Sequence, residues 1–193
     1  MKTALLAAAF AGISTIANAG VGSAEKYMLD GGHSQIVFSY NHLGYSTTYG
    51  MFSGFEGVVV FDKDEPANST VSVSMPLSSM LTGWQARFDH FMTPDFFDAS
   101  AEEMISFEST GIEVTGENTA LITGDLTLNG VTKPVVLDAK LNQAGMHPMA
   151  NKDWAGFDGT TTLLRSDFGL GKFAPFVSDE VEVMISIEVG KAE

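Results

Sequence analysis

Four histidines, His33, His42, His90 and His147, are the side chains of this sequence best suited to proton transfer or metal binding near neutral pH. None stands in a ligand spacing such as HExxH, so no metal centre is expected. The nearest approach to a serine-nucleophile motif is Gly50-Met51-Phe52-Ser53-Gly54, whose spacing does not suit the GxSxG elbow. Neighbouring carboxylates such as Glu102 and Glu103 arise by chance among 24 acidic residues, and most of these must be solvated surface. No GxxxxGK[ST] phosphate cradle is present, and with no cysteine at all, thiol chemistry, haem attachment through cysteine and cysteine-based metal sites are excluded. The sequence therefore points to no catalytic residue and no cofactor. The richest polar stretch is NHLGYSTTYG, residues 41–50. There His42 is either a hydrogen-bonded residue at a strand end or a polar contact at the mouth of a pocket.

The elements that must position these groups are strands. Apolar and polar residues alternate with a period of two along most of the chain, which buries one face of a strand and exposes the other. In SQIVFSYN, Ile36, Phe38 and Tyr40 share a face. In VEVMISIEV, Val181, Val183, Ile185, Ile187 and Val189 do the same. Strands are expected near residues 27–30, 34–41, 51–61, 70–76, 104–115, 118–128, 132–143, 156–168 and 179–190. Asn129-Gly130 should form a tight hairpin turn, because both residues tolerate positive φ.

Residues 81–104 break the alternation. Trp84, Phe88, Phe91 and Met92 fall at helical spacing, Thr93 before Pro94 suits an N-cap with proline in the first turn, and Ser100 with Glu103 suits a small capping box. One or two short helices over an end or flank of the sheet are expected.

The first nineteen residues read as an export signal: Lys2, an apolar run from Ala4 to Ile16, and the small-residue site Ala17-Asn18-Ala19, with cleavage as late as Ala24 an alternative. The expected destination is the periplasm, with residues 20–193 forming a single soluble domain that contains no membrane-spanning helix. The chain carries 10 Lys+Arg against 24 Asp+Glu, a formal charge of −14, which disfavours nucleic acid as a partner. Without cysteine, an exported domain must hold together through its core alone. The strands are rich in aromatics, with 14 Phe and 4 Tyr in the chain. A barrel of about eight strands either fills with such side chains or encloses a ligand, and the pattern alone leaves both open.

Taken in order, YMLDGGHSQIVFSYNHLGYSTTYGMFSGFEG, DFFD, ISFEST, GDLTLNGVTKPVVL, RSDFG and SDEVEVMISIE resemble the YceI family of exported bacterial proteins, from about Tyr27 to Glu188. The resemblance implies an all-β, extended antiparallel barrel of lipocalin-like shape, with a long pore that in some members holds a polyisoprenoid. His33 and Ser34 match the family's early HS pair, and His42 its strand-end histidine. Arg87 and His90 match the ends of its R-D-x-H segment, with Phe88 where that segment usually has Asp. Arg165, Asp167, Phe168 and Gly169 match its late R-x-DFG motif, read as an ion pair and a turn that close the barrel.

On this basis the expected function is binding or carriage of a long apolar isoprenoid-type lipid, polyprenyl or isoprenoid-quinone-like. The tail would lie along Ile36, Phe38, Tyr40 and Phe55, and a polar headgroup would meet His42, Tyr45, Tyr49, Arg87 and His90 at the mouth. Pairing of two chains is compatible with the resemblance. Two alternatives are a hydrolase-like enzyme acting on such a lipid, with His42 or His90 as general base, and a stress-linked interaction protein whose pore is incidental.

Overall fold

A computed structural model of the protein describes residues 24–98 and 103–193. The expected export signal, residues 1–19, and Ser100 of the expected capping box lie outside the described residues.

The strands are β1 (Glu25–Leu29), β2 (Gln35–His42), β3 (Ser46–Ser53), β4 (Glu56–Phe61), β5 (Thr70–Pro76), β6 (Met80–Leu81), β7 (Met104–Gly116), β8 (Thr119–Leu128), β9 (Val131–Met146), β10 (Asp153–Leu164) and β11 (Glu180–Lys191). All pairings are antiparallel. β11 pairs with β2 through residues 182–186 and with β1 through residues 189–191, so β1 and β2 lie end to end along the same neighbour. β3 pairs with β2 and β4 with β1, and β6 pairs with β3 and β5 with β4, so two more strands are each made of two collinear pieces. The result is an eight-position up-and-down barrel closed by the pairing of β1 with β11, in which the short β6 ends the strand order and pairs with β3 alone.

The breaks have local causes. The expected single strand over 51–61 is interrupted at Gly54, which has φ 69°, a conformation that only glycine adopts without strain. The expected run over 156–168 ends at Leu164, where Arg165–Phe168 wind into a 3₁₀ turn closed by Gly169 at φ 74°. Asn129 and Gly130, at φ 52° and 67°, make the two-residue hairpin that joins Leu128 to Val131.

Between β6 and β7 the helix is α1 (Gln85–Phe91). Phe88, Phe91 and Met92 pack against the buried cluster Phe55, Val73, Met75, Leu77, Met80 and Ile105, as the expected stripe requires. Trp84 departs from that stripe: it precedes the helix in extended conformation and is 65% exposed. Thr93 and Pro94 follow the helix instead of starting a second one. The Thr93 hydroxyl donates to the carbonyl of His90 at 2.7 Å, which ends α1 in a turn.

A second buried cluster, Tyr27, Val59, Phe61, Ala155 and Val189, sits toward the opposite end, with Phe61 edge-on to both Tyr27 and Phe157. The two clusters thicken parts of the wall and leave the centre of the barrel open. The end carrying the β2–β3 turn, α1 and the β10–β11 connection is called the upper end below.

Candidate functional site

Alternation turns Ile36, Phe38, Tyr40 and His42 of β2 inward, together with Thr48 and Phe52 of β3 and Val181, Val183, Ile185 and Ile187 of β11. With inward residues of the other strands they enclose a lumen of about 1370 Å³. Ordinary small-molecule pockets span about 300–1,000 Å³, so this space suits a larger guest. Its lining runs from Arg87 and His90 at the upper end to Asn118 and Lys140 at the lower end, and the length between is almost wholly aliphatic and aromatic.

The lumen stays open because two aromatic rings lie against the wall instead of projecting across it. Phe38 faces Gly50 in the β2–β3 ladder, and a Cβ at Gly50 would stand 2.2 Å from its Cζ. Phe107 covers Gly124 in the same way, at 2.3 Å. Each glycine supplies the recess into which a ring folds flat.

At the upper end the aromatic lining continues outward. Tyr40 lies 6.5 Å from Phe91, Phe91 5.2 Å from Phe96, and Phe96 6.0 Å from Phe173, centroid to centroid. These rings bridge β2, α1, the turn after it and the β10–β11 connection. Asp95 binds this junction: its carboxylate accepts from Lys172 and lies 3.3 Å from His90 Nε2. Lys172 first, and then His90, hold the Asp95 carboxyl below its ordinary pKa. Arg87 donates to the Thr82 carbonyl at 2.8 Å, which fixes the start of α1.

Arg165 organises the rest of the rim. It is buried and donates to the carbonyls of Ser178 (2.8 Å), Lys172 (2.7 Å), Val177 (2.8 Å) and Leu170. Burial lowers its pKa from the ordinary arginine value. The R-x-DFG motif thus forms the expected turn, but the expected ion pair is replaced. Among the described residues no carboxylate bridges to Arg165, because the curled connection offers it a ring of carbonyls. Asp179 accepts instead from the backbone N–H and the hydroxyl of Ser166.

Seven of the nine site residues read from the sequence line the lumen: Ile36, Phe38, Tyr40 and Phe55 along its length, and His42, Arg87 and His90 near its upper mouth. Tyr45 and Tyr49 do not. Tyr45 sits in the β2–β3 turn, 91% exposed, and Tyr49 is on the outer face of β3, because its inward neighbours are Thr48 and Gly50. Phe96, Phe173 and Phe176 escaped the sequence reading, because they sit in irregular connections without periodicity. The inward residues of β11 were legible in its alternation.

The family's HS pair has a different position. His33 Nδ1 bonds Asp30 at 2.8 Å, and the Ser34 hydroxyl accepts from the N–H of Glu188 at 3.1 Å, so the pair pins the β1–β2 junction to β11 outside the lumen. Ligand atoms of Asp30, His33 and Glu188 lie within 4.8 Å of one another, close enough to hold a cation. Each is already engaged, Glu188 by the Trp154 indole N–H at 2.8 Å. The hydrogen bond with Asp30 raises the pKa of His33, and the same bond lowers that of Asp30.

Comparison with known proteins agrees with this architecture. Residues 27–189 match the YceI-like domain. The chain is 44% identical over 171 residues to a UPF0312 protein of Ectopseudomonas mendocina, covering 88% of this chain and 89% of that one. Among solved structures it is similar to BcnA of Burkholderia cenocepacia, with a TM-score of 0.74, 26% identity, and coverage of 83% of this chain and 98% of that one. It also shares its fold with a polyisoprenoid-binding domain from Saccharophagus degradans, at a TM-score of 0.66 and 13% identity over 86% of this chain and 98% of that one.

Proposed function

Because this chain belongs to the YceI-like family, we propose that it is a periplasmic binding and carrier protein for a long isoprenoid-type lipid, polyprenyl or isoprenoid-quinone-like, and that no covalent chemistry is part of its work. The observation that carries the reading is the apolar lumen of about 1370 Å³. Each methylene moved from water into such a space contributes about 0.8 kcal/mol, so a long chain binds tightly with few directional contacts. A protein of the same fold in Saccharophagus degradans is a polyisoprenoid-binding domain, which supports the ligand class.

In this reading the tail lies along Ile36, Phe38, Tyr40 and Phe55, and the headgroup stays at the upper mouth near His42, Arg87 and His90. The periplasmic location rests on the signal-like residues 1–19. Native mass spectrometry and lipid extraction of protein purified from the periplasm of its own host should return a bound prenyl lipid. Reproducible absence of lipid, together with no uptake of an added polyprenol, would defeat the proposal.

A further inference from the structure

We propose that the upper mouth is a docking surface for a lipid bilayer, against which the protein loads and releases its ligand without exposing the tail to water. The proposal rests on the carrier reading above. A long isoprenoid crossing water would lose about 0.8 kcal/mol for each methylene exposed, so exchange by free aqueous release is very slow. A carrier therefore gains from a mouth that meets the membrane directly.

The distribution of exposed apolar groups matches this need. Among the described residues the large aromatics with the greatest exposure are Tyr45, Tyr49, Trp84, Phe173 and Phe176, and all belong to the upper part of the barrel. Trp84, Phe173 and Phe176 also line the lumen, so the apolar surface runs unbroken from interior to outside. The β2–β3 turn joins this crown through the Leu43 N–H, which donates to the Phe176 carbonyl at 3.0 Å. Leu43 and Phe173 hold positive φ angles, 58° and 68°, unusual for bulky residues, and both side chains are exposed. Tryptophan and tyrosine around an apolar rim are the side chains that settle at the headgroup level of a bilayer.

Charge is distributed to suit the same surface. The chain has 24 acidic residues, yet the β2–β3 hairpin over residues 35–53 and the stretches 80–88 and 172–178 contain none, while Arg87 and Lys172 lie within them. Asp95, adjoining the crown, is paired with Lys172 and His90. The apolar groups of the crown thus sit on stretches without acidic side chains, while Asp89, Asp167 and Asp179 stand at or near the borders of those stretches.

The test uses the full mature chain with Trp154→Phe, leaving Trp84 as the sole tryptophan, and vesicles of phosphatidylethanolamine with a minority of phosphatidylglycerol that contain brominated acyl chains. Trp84 emission should be quenched on mixing. The rate of polyprenol transfer from vesicle to protein should rise with vesicle concentration. Tyr45→Ser with Tyr49→Ser, both exposed and outside the lumen lining, should slow transfer roughly tenfold and leave equilibrium polyprenol affinity and the melting temperature unchanged. Met146→Ser with Met149→Ser, exposed at the lower end, should change neither. Transfer that is independent of vesicle concentration, or native transfer rates in the Tyr45/Tyr49 variant, overturns the docking surface even when lipid binding stands. Trp84 quenching by vesicles in a protein that takes up no polyprenol supports docking and removes the carrier reading. Shielding of Trp84 that depends on protein concentration without vesicles assigns the crown to a second copy of the chain and overturns the proposal.

Discussion

Gly50→Ala tests the origin of the lumen. A methyl group at this position would stand 2.2 Å from Phe38 Cζ and 2.7 and 2.8 Å from its Cε atoms. Carbon atoms pack at about 3.5–4.0 Å, so the ring must retreat by roughly 1.5 Å, and the only free space is the lumen. Because that space is open, the fold should lose only about 1 kcal/mol, the low end of the cost of overpacking. The displaced ring then takes the place of about two methylenes of a bound tail, at about 0.8 kcal/mol each, which weakens Kd roughly 15-fold. Urea unfolding of the empty protein and polyprenol titration by tryptophan fluorescence measure the two effects separately. Combining Gly50→Ala with Phe38→Leu should recover most of the affinity, because the coupling passes through that ring. Native affinity in a stably folded Gly50→Ala protein would refute the argument that a flat Phe38 keeps the tail path open.

Three other outcomes follow from the site. Arg165→Met removes the donor shared by four carbonyls of the β10–β11 connection, so the urea midpoint should fall by the equivalent of at least about 3 kcal/mol with little change in m. His33, followed by NMR of its ring, should titrate above the usual value of about 6.5, and Asp30→Asn should bring it back. Since the folded pKa of His33 is raised, its contribution is full below about pH 6.5 and is lost as pH rises through the raised value. The lowered pKa of Asp30 makes its part present above about pH 3.9 and lost as pH falls through the lowered value. His42→Ala should weaken a polyprenyl phosphate by up to about tenfold, the worth of one hydrogen bond, and leave a bare polyprene almost unchanged. That difference is read by paired titrations, and equal loss for both ligands would mean that His42 serves only the fold.

Much of this molecule is legible in its sequence because the side-chain period of a strand is two. The inward faces of β2 and β11, the Asn129-Gly130 hairpin and the limits of β5 follow from local pattern and turn chemistry alone. So does the helical character of the segment around Phe88 and Phe91, whose spacing fits a turn of helix. The tyrosines of NHLGYSTTYG illustrate the limit. Their amphipathic rings suit a pore mouth, yet the register of β3 turns Tyr49 outward and the β2–β3 turn carries Tyr45 beyond the rim. Arg165 is similar: the motif predicts a closing turn, but its partners come from residues 170–178, whose carbonyls converge only when the connection curls.

What the sequence pattern by itself determined is a strand-built, cysteine-free chain with aromatic inner faces, while its closure rests on the long-range pairing of β1 with β11. Whether that interior is solid or hollow was decided by tertiary structure. The same count of phenylalanines would fill a barrel if each ring faced another side chain. Here Phe38 and Phe107 meet Gly50 and Gly124 across neighbouring strands and fold flat against the wall. That pairing depends on register between strands, a non-local quantity that no window of sequence contains.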